Sequence, residues 1–285
     1  MGAGWERVAF GSTGLAVSPI GLGSSYGLGG ADVERAFERG IDFMFYGLRR
    51  RADFGRGVAN IAARNRERVV IAAQSYSRMA SLVGPSVDCV LRTLRTDYLD
   101  ILCLGWWDEL PPARILDAAR TLKEEGKVRH LVISCHYRPS FSQMIDTPDI
   151  GGIMVRYNAA HTGAEREVFP LLAERNPGVI AFTATRWGSL LDPRVLPEGE
   201  APPRASDCYR FVLTNPHVHT SLAGPKDGAE LDEAMAALDR GPMSDDELAW
   251  MRRIGAHVRA DRKAHRAINL VDRARTALFG SATAG

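Results

Sequence analysis

The chain has 285 residues, of which 45% are apolar, and its 36 Lys+Arg nearly cancel its 34 Asp+Glu. That length allows one large core, and near-neutral charge without a basic stripe among aromatics argues against a nucleic-acid partner. The longest apolar stretches have strand length, well short of the ~20 residues that span a bilayer. No apolar stretch follows a basic start, so neither a membrane span nor a signal peptide is expected.

In chain order, segments 8–10 and 15–17 flank Gly11-Ser12-Thr13-Gly14. They read as a hairpin that closes the bottom of a barrel. Uniformly apolar runs then recur at 69–73, 101–104, 131–133 and 179–182. Strands apolar on both faces are what a parallel sheet covered by helices requires. Amphipathic segments lie between them, at 32–39, 56–64, 84–94, 113–125, 164–174 and 205–213. The alternation reads as βαβ units. Strands are expected near 19–23, 41–45, 69–74, 99–104, 129–134, 152–157, 179–183 and 218–223.

Gly21-Leu22-Gly23 lacks the third glycine of a dinucleotide fingerprint, which disfavours an open doubly wound sheet. Residues 193–203 form a Pro/Gly-rich loop. Two more helical patterns follow the last strand, at 244–258 and roughly 261–278, and Ser244 with Glu247 forms a capping box. The expected fold is a single-domain (β/α)8 TIM barrel over 1–285, with an N-terminal β-hairpin and extra C-terminal helices. Cys89, Cys103, Cys135 and Cys208 show no metal-type spacing, which fits reduced thiols, a cytoplasmic location and no metal site. The run Arg49-Arg50-Arg51 reads either as a solvated loop or as an anion site.

Several ordered motifs resemble the aldo-keto reductase superfamily. They are the opening from Gly11 to Gly23, Gly40-Ile41-Asp42-Phe43, the segment from Leu94 to Asp100, Gly126-Lys127-Val128-Arg129 with Ile133-Ser134, Arg210-Phe211-Val212-Leu213 and Leu222-Ala223-Gly224. The resemblance covers about the whole chain. It implies hydride chemistry at the C-terminal ends of the barrel strands, carried by an Asp, a Tyr, a Lys and a His. A donor aimed at the developing alkoxide is worth about 3–4 kcal/mol. At those places this chain carries Phe45, a shortened loop after Tyr46, Gln74 and Gly105.

The resemblance also implies an NADP(H) site. Ser134 matches one of the residues that hold the nicotinamide amide, while Cys135 and Met154 stand for the others. Phe182, beside Thr183, matches the stacking aromatic. Gly188 and Leu190 fall in the loop that wraps the pyrophosphate. Lys226 suits a 2′-phosphate, and Glu233 occupies an adenine-end position next to Ala234.

The strand ends offer a second polar set. His136 reads as a general acid or base, or as a structural histidine on the rim. Arg156 reads as an anion clamp, or as one half of a salt bridge to Asp42 or Glu165. Tyr46 reads as a substitute proton donor, or as packing. Gln74, Tyr76, Trp106, Trp107, Asn158 and His161 are expected to line a small-molecule pocket. Three functions follow as expectations: an NADP(H)-linked oxidoreductase with a substitute proton donor; a non-redox lyase, cyclase or isomerase; and a non-catalytic binding protein.

Overall fold

The structure, a computed structural model, describes residues 5–47 and 50–260. Arg49 and the helix expected over 261–278 lie outside the described residues. Two short antiparallel strands, Val8–Ala9 and Ala16–Val17, form the expected hairpin. Among the described residues, eight parallel strands close into a barrel in sequential order. They are β1 (Ile20–Gly23), β2 (Phe43–Tyr46), β3 (Val70–Ser75), β4 (Leu99–Leu104), β5 (Val128–Cys135), β6 (Ile150–Arg156), β7 (Gly178–Phe182) and β8 (Thr220–Ala223). Each lies within two residues of its expected span. No described helix is long and apolar enough to cross a membrane.

The surrounding helices are α1 (Gly30–Glu38), α2 (Ala52–Asn65), α3 (Ala80–Leu94), α4 (Ala113–Glu124), α5 (Phe141–Asp146), α6 (Ala164–Glu167), α7 (Ala205–Leu213), α8 (Gly228–Arg240) and α9 (Asp245–Ala260). The long helix expected over 164–174 is instead α6 followed by a 3-10 turn, Phe169–Leu172. Pro170 lacks the amide proton that would continue the ladder, which explains the break. Two further helices, α5 and α8, form where the sequence pattern predicts none. The first is only six residues long. The second begins with the Asp227 carboxylate accepting the Glu230 N–H, a side-chain N-cap.

Alternation along the strands divides the core in two. Phe43, Phe45, Val70, Ala72, Ile101, Cys103, Val132, Met154, Ile180 and Phe182 fill the barrel interior. Met44, Tyr46, Ile71, Ala73, Leu102, Leu104, Ile133, Val155 and Ala181 pack against the helices. The hairpin plugs the bottom through Phe10, which is fully buried. Its ring lies so close to β7 that a Cβ on Gly178 would sit 2.2 Å from it. Glycine at 178 is therefore a steric requirement of the plug.

Salt bridges tie the outer layers at both ends. At the bottom, Asp100 accepts from Arg66 (2.9 Å), Arg129 (3.2 Å) and the Ile71 N–H (2.9 Å). Nearer the mouth, Tyr157 donates to Glu165 at 2.6 Å, and Glu165 also pairs with Arg252 of α9.

Candidate active site

The C-terminal strand ends form the barrel mouth. Phe45 takes the inward position at the end of β2, and Gln74 follows Val70 and Ala72 on the inward face of β3. Beyond Cys103 on β4 comes Gly105, where a Cβ would fall 2.6 Å from Gln74 Nε2 and 2.9 Å from the Tyr76 ring. The Gln74 amide and the Tyr76 ring therefore occupy the room that a side chain at 105 would need. Tyr76 donates to Gln74 Oε1 at 2.5 Å. Burial pushes the Tyr76 hydroxyl well above its usual range, so it stays a neutral donor. Gln74 is 3% exposed, and its Nε2 has no hydrogen-bond partner.

Aromatic rings line the rim from there to β7. Trp106 meets Tyr76 edge-on at 5.0 Å and His136 at 6.3 Å, and His136 meets Phe182 at 5.3 Å. Arg156, at the end of β6, has Nη2 2.8 Å from His136 Nδ1. A guanidinium has only N–H donors, so His136 Nδ1 must accept. The ring is then neutral, with its proton on Nε2. The Arg156 guanidinium also lies 5.9 Å from the Trp187 ring. Arg156 forms no salt bridge with Asp42 or Glu165. Asp42 pairs with Arg7 at the bottom, and Glu165 with Arg252 in the outer layer.

The two loops beside this cluster are strained. Trp106 has φ 55°, and Thr183, Arg186 and Trp187 have φ 62°, 51° and 53°. Left-handed backbone costs a non-glycine residue about 1–2 kcal/mol. Packing holds the β7 loop in this shape. Asn158 Nδ2 donates to the Thr183 carbonyl at 2.8 Å, and the fully buried Arg186 donates to the Val258 carbonyl near the C-terminus of α9.

Several expected site residues do other work. Tyr46 faces outward: its ring stacks on Phe54 at 6.4 Å, and its hydroxyl lies against Gly55 of α2. Tyr46 therefore does not reach the mouth and cannot serve there as proton donor. Trp107 also belongs to the helix-facing layer, beneath the Arg78 guanidinium at 3.9 Å, and is not mouth wall. Asn158 is a clamp rather than a substrate contact. Its Oδ1 accepts from the Ala160 N–H and from His161 Nδ1, and the residue is fully buried. His161 is driven down to about 3 by burial and by nearby Arg156 and Arg186, which keeps it neutral.

The cofactor-type positions divide by end. At the nicotinamide end, Ser134 is fully buried with no partner for Oγ, and Phe182 reaches the mouth. An orphaned buried hydroxyl and a ring at the inner wall of the mouth suit an amide and an aromatic ring. Thr183 Oγ1 is turned back onto the Phe182 carbonyl. Gly188 has φ 84°, a conformation open to glycine, and begins the turn Ser189–Leu191. Leu190, expected in the pyrophosphate loop, is instead a buried core residue whose N–H bonds the Thr185 carbonyl, so it offers no donor. At the far end Lys226 pairs with Glu230, and Glu233 with Arg204 and Ser206. The lysine and arginine of these pairs are well exposed, and such pairs are weak enough to rearrange around a phosphate. The residues fit the group, most closely at its nicotinamide end.

Arg78 and Arg186 carry no signal in the sequence, and the run around Arg50 is open to two roles there. Arg78 donates to the carbonyls of Gly105 (3.0 Å) and Trp106 (2.7 Å), and Arg50 donates to the Gln74 carbonyl. Arginines that brace loop carbonyls carry no periodicity signal, so only the folded loops reveal them.

Comparison with known proteins agrees with this architecture. Residues 31–207 match the model described as the aldo/keto reductase family. The chain belongs to the aldo/keto reductase family. It is 25% identical over 281 residues to L-galactose dehydrogenase of Arabidopsis thaliana, covering 82% of this chain and 88% of that one. Aldo-keto reductase AKR11C1 from Bacillus halodurans, in its holo form, superposes with a TM-score of 0.75 at 20% identity, over 88% of this chain and 96% of that one. An aldo/keto reductase from Klebsiella pneumoniae in complex with NADP and acetate gives the same TM-score at 23% identity and the same coverage.

Proposed function

We propose that this family member is an NADP(H)-linked oxidoreductase that interconverts a small carbonyl compound and its alcohol, with neutral hydrogen-bond donors in place of the family's ionic relay. The observation that carries the reading is the Arg156–His136 contact of 2.8 Å at the mouth, beside Phe182. It leaves Nε2–H as the donating edge of the imidazole. The holo and NADP-bound states of the structural neighbours, and the fit of Ser134 and Phe182, support the cofactor assignment.

A bound NADPH would supply the hydride for the carbonyl carbon, leaving the negative charge on the substrate oxygen. His136 Nε2–H donates to that oxygen as charge develops, which is where a preorganised donor lowers the barrier. An alkoxide is basic enough to take the proton, and the imidazole recovers it from water that enters as the product leaves. Arg156 holds the ring in the donating tautomer. Trp106 and Trp187 restrict water at the rim. The same tautomer weakens the acid–base reading, because a ring with Nδ1 engaged and Nε2 protonated presents no lone pair to act as a base.

NADPH titration monitored by tryptophan fluorescence tests the assignment. Micromolar binding, with consumption of NADPH at 340 nm in the presence of small aldehydes, is expected. Silence up to millimolar NADPH would remove the redox reading and return the weight to a non-redox enzyme or a binding protein.

A further inference from the structure

The β3–β4 corner of the mouth holds a donor that the roles assigned to His136 and Arg156 leave unused. Gln74 is 3% exposed, inward-facing, and its Nε2 has no partner. A buried amide N–H₂ that gives up water without another acceptor costs about 1–3 kcal/mol. The surroundings are built to hold it. Tyr76 fixes the amide oxygen at 2.5 Å, and that bond sets which end of the carboxamide points away as N–H₂. Arg50 and Arg78 brace the carbonyls of Gln74 and Gly105 on either side. Gly105 leaves the space, since a Cβ there would stand 2.6 Å from Nε2.

We infer that the Gln74 carboxamide is a substrate-binding donor: its Nε2–H₂ holds the reacting oxygen of the substrate, with Tyr76 as its positioning residue and Gly105 as the residue that admits it. The inference deepens the proposed reduction and rests on that reading for the identity of the oxygen. Gln74 lies on β3 and His136 just past β5, two strands apart on one arc of the mouth, so both donors serve the same side of the substrate. Both donors are neutral, so no buried charge needs a counter-ion when the site closes over an uncharged carbonyl.

The test uses the full-length protein with saturating NADP⁺ and 4-nitrobenzaldehyde as probe, read by ¹⁵N-edited NMR of side-chain N–H groups. The Gln74 N–H₂ pair is assigned by its disappearance in Gln74→Met. Saturable movement of that pair with added probe is expected, as is a loss of about 10²-fold in kcat for Gln74→Met with NADPH affinity unchanged. Tyr76→Phe keeps the ring but frees the amide. It should lower kcat while leaving the melting temperature near that of the parent, an effect a purely structural tyrosine would not produce. If the tryptophan indole signals move with the probe while the Gln74 pair stays still, the inference is overturned and the reductase reading stands. If no signal moves and NADPH does not bind, both fall.

Discussion

Arg156 and His136 meet at 2.8 Å across the ends of β5 and β6, and because arginine can only donate, the contact decides which histidine nitrogen carries the proton. His136→Phe keeps an aromatic ring on the rim but removes both nitrogens. We expect about 10²-fold lower turnover with unchanged NADPH affinity, measured by steady-state kinetics and fluorescence titration. His136→Gln, which can still accept from Arg156 and donate from its amide, should retain more of the activity. Parent-like turnover in the phenylalanine variant would end the role given to this residue.

Tyr46 supplies the opposite case. Its hydroxyl lies in the helix layer against Gly55, and burial pushes it above the usual phenol range. Tyr46→Phe should therefore leave kcat and KM unchanged and alter stability by about 1 kcal/mol or less. Abolished turnover in a folded Tyr46→Phe protein would mean that the β2 end reorients on substrate binding.

The bottom of the barrel depends on a missing side chain. In Gly178→Ala the new methyl would sit 2.2 Å from the Phe10 ring, and the Phe43 and His219 rings packed against Phe10 leave it little room to yield. A loss of about 1–3 kcal/mol in urea unfolding is expected. Because the plug is at the far end from the mouth, NADPH affinity should persist in the folded fraction.

His161 predicts a pH dependence. Its folded-state value of about 3 lies below the ordinary 6.5. The unfolded chain then binds a proton that the folded chain refuses, so stability rises with pH and is lost as pH falls from 6.5 toward 3. The full slope is about 1.4 kcal/mol per pH unit. Between pH 6.5 and 5 the ordinary carboxylates have yet to protonate, which separates this contribution from theirs. Urea midpoints across that window should fall less steeply in His161→Gln. His130 and His219, also lowered by burial, keep their own smaller share.

Most of the fold was legible in the sequence. All eight strands and the hairpin fall within two residues of their expected spans, and four of the strands carry uniformly apolar runs, because a strand covered on both faces has no competing pattern. Legibility failed where one residue decides a helix. Pro170 cut an amphipathic stretch short, and α8 depended on the Asp227 cap. At the mouth the identities of Phe45, Gln74 and Gly105 were plain in the sequence. The pairing of Gln74 with Tyr76, and of Arg156 with His136, joins residues whose geometry no spacing rule supplies.

The sequence by itself determined the barrel, its plugged bottom and the inventory of residues at the strand ends, because hydrophobic periodicity and turn chemistry are local properties of the chain. Only the tertiary structure decided which of those residues face one another. Along a strand the side chains alternate, so a shift of one position moves a residue from the barrel interior to the helix layer. Tyr46 and Trp107 went outward, while Phe45 faced inward and Trp106 joined the mouth, and that phase is set by closure of the whole sheet.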